Sequence, residues 1–178
     1  VGRKGGSTLA IGTFNKPDAG DTRLTTTLWN DLCHVVDLVR FMAAGEAKEV
    51  TAYQDRLVGD ELDHYTALVR FDNGATGCVF GHRASGGRVL GFELHGIGVG
   101  CYARIPDEIL ILEDGQTETL SGWEIAGVDR DQVRHYDGQV AMHGHFIDCI
   151  LDNKTPLTDL RDVIHSIDLV DRIEGPLD

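Results

Sequence analysis

The sequence predicts an α+β domain: an open-faced, largely antiparallel β-sheet with helices packed on one face. Three observations carry that expectation. Between residues 49 and 120, short runs of strand formers alternate with Gly, Asn and Asp turn signals at hairpin spacing. Leu28–Met42, LWNDLCHVVDLVRFM, repeats its apolar residues with the period of an amphipathic helix. After Trp123 the apolar spacing becomes helical again and stays so.

In chain order, Ser7–Phe14 (STLAIGTF) is rich in strand formers and runs into Asn15-Lys16-Pro17-Asp18-Ala19-Gly20, a cluster of turn residues, so a strand and a loop are expected. Residues 22–28 read as extended or irregular. At about 100° per residue, Leu32, Val35, Val36, Val39, Met42 and Ala43 share one apolar arc, and His34, Asp37 and Arg40 fall opposite. Asn30 suits the N-cap, Asp31 the first turn, where a carboxylate meets the positive end of the helix dipole, and Gly45 the terminus.

Glu49–Leu57 and His64–Phe71 read as strands, Asp72-Asn73-Gly74 as a hairpin turn, and Ala75–Ala84 as the strand running back. Ser85-Gly86-Gly87 makes a turn before a strand at Val89–His95. Residues 96–100, GIGVG, bend into Cys101–Ile105, and Glu108–Glu113 pairs with Thr117–Leu120 about Asp114-Gly115. The expectation is an antiparallel meander. Gln132–Asn153 and Leu160–Ile173 then read as helices, the second capped by Thr158-Asp159 after Pro156. Burial of their aliphatic side chains, roughly 1.5 to 3 kcal/mol each, would fix both on one face of the sheet.

A chain of 178 residues fits one domain, taken as 1–178, and such a domain buries on the order of 70% of its unfolded surface. Hydrophobic residues at 42% and charged residues at 25% exclude a disordered chain. The net charge of −13, from 16 basic and 29 acidic residues, repels nucleic acid and anionic membranes. No apolar run approaches the roughly 20 residues that span a bilayer, and no basic segment with an apolar stretch opens the sequence. A cytoplasmic location is expected. The chain begins at Val1 and enters a strand-like segment at once, as a piece of a longer protein would. Cys33, Cys78, Cys101 and Cys149 are scattered, without the spacing of a zinc site, and read as buried apolar thiols. No metal is expected: a site made of Asp31, His34 and Asp37 would need a second ligand cluster, and none is visible.

His34 stands three residues from both Asp31 and Asp37, so either carboxylate can lie within one turn of the imidazole. A polar cluster at the start of a helix, beside a buried face, suits an active-site wall. The plainer reading is a half-buried histidine satisfied by Asp37, with Asp31 a capping charge and Arg40 paired to Asp37 at spacing three.

Four segments in order, DLCHVVDLVRFMAAGEAKEVTAY, YTALVRFDNGATGCVF, GFELHGIGVGCY and HFIDCILDNKTPLTDLRDVIHSIDLVDRI, together resemble the C-terminal domain of the glucose-fructose oxidoreductase, inositol dehydrogenase and rhizopine catabolism family (Gfo/Idh/MocA). The resemblance implies the open-faced sheet of that domain, similar to the C-terminal domain of glyceraldehyde-3-phosphate dehydrogenase. It also implies an NAD(P)-dependent dehydrogenase of sugars, cyclitols or similar polyols, whose N-terminal Rossmann domain is absent from this chain. NAD or NADP is then expected in the full-length enzyme and not on this chain alone, since residues 96–100 lie between strands and lack the last glycine of a dinucleotide fingerprint. Asn15-Lys16-Pro17 is superficially similar to the family's Glu-Lys-Pro motif, which belongs in the absent domain, and is read as a loop.

The family's usual pattern places Asp four residues before the histidine; here Asn30 holds that position and Asp31 stands three before. On this resemblance His34 is the general base, since an imidazole titrating at about 6.5 suits removal of a hydroxyl proton near neutral pH. Asp31 would orient the ring or stabilise its cation. Asn30 and Lys16 would bind substrate hydroxyls or a carboxylate. Homo-oligomerisation, most simply a two-fold dimer, is expected through the sheet face that helices leave open. The alternative is a stand-alone ligand-binding or assembly module of the same fold.

Overall fold

The computed structural model describes residues 6–17, 26–58, 60–127, 129 and 138–175. Among these, eight strands form one sheet: β1 (Leu9–Asn15), β2 (Ala47–Asp55), β3 (His64–Phe71), β4 (Thr76–His82), β5 (Val89–Gly96), β6 (Val99–Arg104), β7 (Glu108–Glu113) and β8 (Gln116–Ser121). Their order is β2-β3-β4-β1-β5-β6-β7-β8. The expected meander is therefore interrupted. β1 lies between β4 and β5, parallel to β4 and antiparallel to β5. The chain leaves β1 through a helix, and that longer connection is what a parallel pair requires.

The helix begins with a π-helical turn, Leu28–Leu32, and continues as α1, Cys33–Ala43. Its apolar arc is buried as expected: Leu32, Val35, Val36, Val39 and Ala43 join Ala10, Phe14, Tyr65, Val69, Val79 and Phe92 in the core. The helix lies close on the sheet because Gly12, Gly77 and Gly81 face it. A Cβ at these positions would run into Val35, Val39 and Leu32 respectively.

Both caps differ from expectation. Asn30 sits inside the π-turn rather than at the N-cap, because the helix starts earlier, with Thr27 as the residue before it. The C-cap is Ala44 in the left-handed region (φ 55), not Gly45. Asn73, from the β3–β4 turn, makes this tolerable by donating to the carbonyls of Ala43 at 2.8 Å and Ala44 at 3.0 Å. In that turn Gly74 alone takes positive φ.

Helix α2 (Gly122–Ala126) follows β8, and α3 (Gln139–Leu151) and α4 (Leu160–Glu174) close the chain. The start of the helix expected from Gln132 lies outside the described residues, as do parts of the loop after Pro17. Asp159 caps α4 as expected, accepting from the backbone N–H groups of Arg161 and Asp162. The two closing helices do not bury their apolar residues as expected. Leu169, Val170 and Ile173 of α4 are buried, but Leu160 and Ile164 are exposed, and Val140, Met142, Phe146, Ile147, Ile150 and Leu151 of α3 are all more than half exposed. Among the described residues α1 packs on β1 and β4, and α4 on α1 and β2, while these side chains of α3 and of the start of α4 stay at the surface.

Candidate active site

The carboxyl ends of β1 and β4 lie side by side, with Asn15 opposite His82 in register. Lys16 and Arg83 are therefore neighbours as they leave the sheet. The Lys16 N–H donates to His82 O at 2.9 Å and the Arg83 N–H to Asp63 O at 2.8 Å, so backbone bonds hold both.

Asp31 comes between them from the π-turn. There the Cys33 N–H reaches back five residues to Leu28 O, and the widened turn leaves Leu28, Asp31 and Leu32 all buried. Asp31 is 7% exposed, and both of its carboxylate oxygens are engaged. Oδ1 accepts from Lys16 Nζ at 3.3 Å and Oδ2 accepts from Arg83 Nη1. A carboxylate taken out of water needs such partners, and Arg83, 1% exposed, supplies one from the interior.

The turn itself is anchored from the far end of the chain. Glu174, buried at the end of α4, accepts from Thr26 Oγ1 at 2.5 Å and from Trp29 Nε1 at 2.7 Å. Cys33 Sγ donates to Trp29 O at 3.1 Å. Burial pushes the Cys33 thiol up, and the Asp31 and Asp37 charges add to the shift.

His34 is exposed, and its side chain makes no hydrogen bond or ion pair with any described residue. Asp37, the partner in the plainer reading, accepts instead from Ser166 Oγ and lies 3.9 Å from Arg40. Arg40 was expected on the solvent side. It is buried beneath α4, donating to Asp162 Oδ1 at 2.5 Å and Ser166 Oγ at 2.8 Å. Asn30 is exposed on the π-turn. Lys16 and Asp31 are thus brought into contact, whereas His34 and Asn30 stand free within one turn of Asp31.

Residues 96–100 do not fit a dinucleotide fingerprint. The glycines of residues 96–100 belong to the antiparallel β5–β6 hairpin, where Gly98 takes φ 71, and no helix N-terminus follows to receive a pyrophosphate. Among the described residues no three His, Cys, Asp or Glu side chains are placed to hold a metal ion. Among the described residues no helix is long and apolar enough to cross a membrane.

Residues 12–97, which hold the π-turn, α1 and the cluster of Lys16, Asp31 and Arg83, match the family described as the GFO/IDH/MocA C-terminal domain. That segment carries the Gfo/Idh/MocA C-terminal domain. No curated protein matches the sequence. Among solved structures, a dehydrogenase (MviM) from Clostridium difficile is similar over 97% of this chain and 55% of its own, at 19% identity and TM-score 0.77. A levoglucosan dehydrogenase in complex with NADH is similar over 97% and 57%, at 17% identity and TM-score 0.77. An oxidoreductase from Agrobacterium radiobacter, in complex with NAD+, L-tartaric acid and magnesium, is similar over 93% and 53%, at 16% identity and TM-score 0.74. At these identities the likeness is one of fold. The chain spans a little over half the length of each of these proteins.

Sequence reasoning named Lys16 and Asp31 of this cluster but missed Arg83 and Glu174. Arg83 stands 52 residues from Asp31, and Glu174 stands 145 from Trp29. Neither position carries a local pattern that sets it apart from a turn arginine or a helix-end glutamate.

Proposed function

We propose that this chain is the substrate-binding and oligomerisation domain of an NAD(P)-dependent dehydrogenase acting on a secondary alcohol of a sugar, cyclitol or similar polyol, and that it is not competent alone. The observation that carries the reading is an exposed His34 three residues along the helix from a buried Asp31, whose carboxylate is held by Lys16 and Arg83 from the ends of β1 and β4. His34 takes the proton of the substrate hydroxyl as general base. Asp31, held by two cations, acts on His34 as a fixed negative charge about one turn away rather than through a hydrogen bond. Lys16 Nζ and Asn30 bind neighbouring hydroxyls. The nucleotide is held by a separate Rossmann domain.

The uncovered apolar residues of α3 and α4 support contact with a further domain. The open face of the sheet supports a two-fold dimer. There Leu68, Cys78, Ile11, Glu93, Tyr102 and Leu110 lie in one register row across five strand pairs, an apolar row richer than a solvated face requires. The four thiols, none in a disulfide, fit a cytoplasmic setting.

The test has two arms. Calorimetric titration of this chain with NAD+ and with NADP+ gives no heat of binding. The full-length protein reduces one of the two nucleotides when offered a panel of sugars, cyclitols and linear polyols. Micromolar binding by the chain alone, or no turnover across the panel, contradicts the proposal.

A further inference from the structure

We infer that Arg83 is a positioning residue of this site: it fixes Asp31, and through Asp31 the ammonium group of Lys16, for contact with substrate. The inference rests on the function proposed above and adds a residue to it. Among the described residues Arg83 heads the fully buried side chains by volume, and its Nε is buried with no hydrogen-bond partner. A guanidinium taken out of water with a donor unanswered destabilises the fold relative to an apolar side chain of similar size. Two residues earlier Gly81 lets Leu32 pack onto the sheet, so the surroundings would accept an apolar side chain. What Arg83 supplies and an apolar residue would not is a donor fixed on Asp31.

The geometry shows where that donor leads. Arg83 is 1% exposed, whereas the Lys16 side chain is 33% exposed, so the carboxylate is gripped from the buried side by Oδ2 and turns Oδ1 toward the surface. Lys16 Nζ has three N–H groups, and Asp31 engages it through one oxygen, which leaves donors for substrate hydroxyls. An unanchored lysine would lose the freedom of its long side chain on binding. One already held by a fixed carboxylate loses less. Both cations are carried by the ends of paired strands, the rigid part of the fold, as a precise site requires.

The test separates positioning from mere stabilisation. In the full-length enzyme, Arg83→Lys keeps the charge and loses the planar fork. Asp31→Asn with Arg83→Gln removes both charges together, so no lone buried charge unfolds the variant. The expected result for both is a melting temperature near that of the wild type, unchanged nucleotide binding and a KM for the polyol raised about 10-fold or more, with a smaller change in kcat in Arg83→Lys, where the Asp31 charge beside His34 is kept. A double variant that folds and keeps the wild-type KM overturns the inference, because an arginine that only stabilises becomes dispensable once its partner is neutral. If the wild-type enzyme turns over no polyol, the proposed function fails, and the inference is read from this chain without substrate. Side-chain nitrogen relaxation then shows Lys16 Nζ less ordered in Arg83→Gln than in the wild type, approaching Lys48, which is exposed. Unchanged order of Lys16 overturns it.

Discussion

Arg40 on α1 donates to Asp162 on α4 at 2.5 Å, across 122 residues of sequence. Ser166 extends the link, accepting from Arg40 Nε and donating to Asp37, so a polar chain joins the two helices that cover the sheet. Arg40→Met leaves Asp162 without its cation and is expected to cost about 2 to 3 kcal/mol, below the range for fully buried pairs because Asp162 is partly exposed. Adding Asp162→Asn should recover part of the loss. Urea denaturation with an unchanged m-value checks both.

The closeness of α1 to the sheet gives a second expectation. Gly12→Ala places a methyl group against Val35, and overpacking of this kind costs about 1 to 3 kcal/mol. Gly86→Ala, where a Cβ meets nothing within 4 Å, should leave the melting temperature almost unchanged. Thermal melts of the two variants, compared side by side, decide whether the glycines of β1 and β4 are there for the helix.

Tyr65 carries a pH dependence. Burial pushes its phenol up to about 12, and the nearby Glu174 carboxylate adds to the shift. Because the folded state holds the proton more tightly than the unfolded chain, whose tyrosines titrate at about 10, the contribution is full below pH 10 and is lost as pH rises from about 10 to about 12. Wild-type protein should therefore lose stability relative to Tyr65→Phe across that window. Below it, Tyr65→Phe should be as stable as the wild type or more stable by up to about 1 kcal/mol, since the buried hydroxyl has no partner. Ultraviolet titration of the phenolate, with stability measured at each pH, checks the sign.

Self-association through the open face makes a fourth expectation. Leu68 and Tyr102 are exposed in the single chain and lie in the same register row. Leu68→Asp or Tyr102→Asp would place like charges near one another across a two-fold axis and should convert a dimer to a monomer, with far-ultraviolet circular dichroism unchanged. Light scattering at tens of micromolar reads the outcome, and a wild-type chain that is already monomeric there contradicts the dimer.

How much of this was legible in the sequence depended on range. β3 and β7 match their expected bounds, because alternation and flanking turns are local signals. The place of β1 was not legible: its partners in β4 and β5 are specified by a helical crossover that no hairpin signal reports. The apolar arc of α1 was read correctly, yet Arg40 was placed in solvent, since periodicity cannot see that α4 brings Asp162 and Ser166 over it. Asn30 and Gly45 looked like caps on residue type alone. The π-turn moved the helix start, and Asn73 did the capping at the other end. At the site, Lys16 and Asp31 were both named but not as a pair, and Arg83 carried no signal, because its role exists only once β4 and the π-turn meet.

The central claim is that His34 removes the substrate proton, and it is tested most directly by pH-resolved turnover of His34→Gln in the full-length enzyme. Glutamine keeps a similar size and hydrogen-bonding capacity but cannot take a proton. The expected result is a kcat lowered about 100- to 10,000-fold, loss of the basic group from the pH profile, and nucleotide affinity unchanged. A variant with near-normal turnover and the wild-type pH profile would contradict the account.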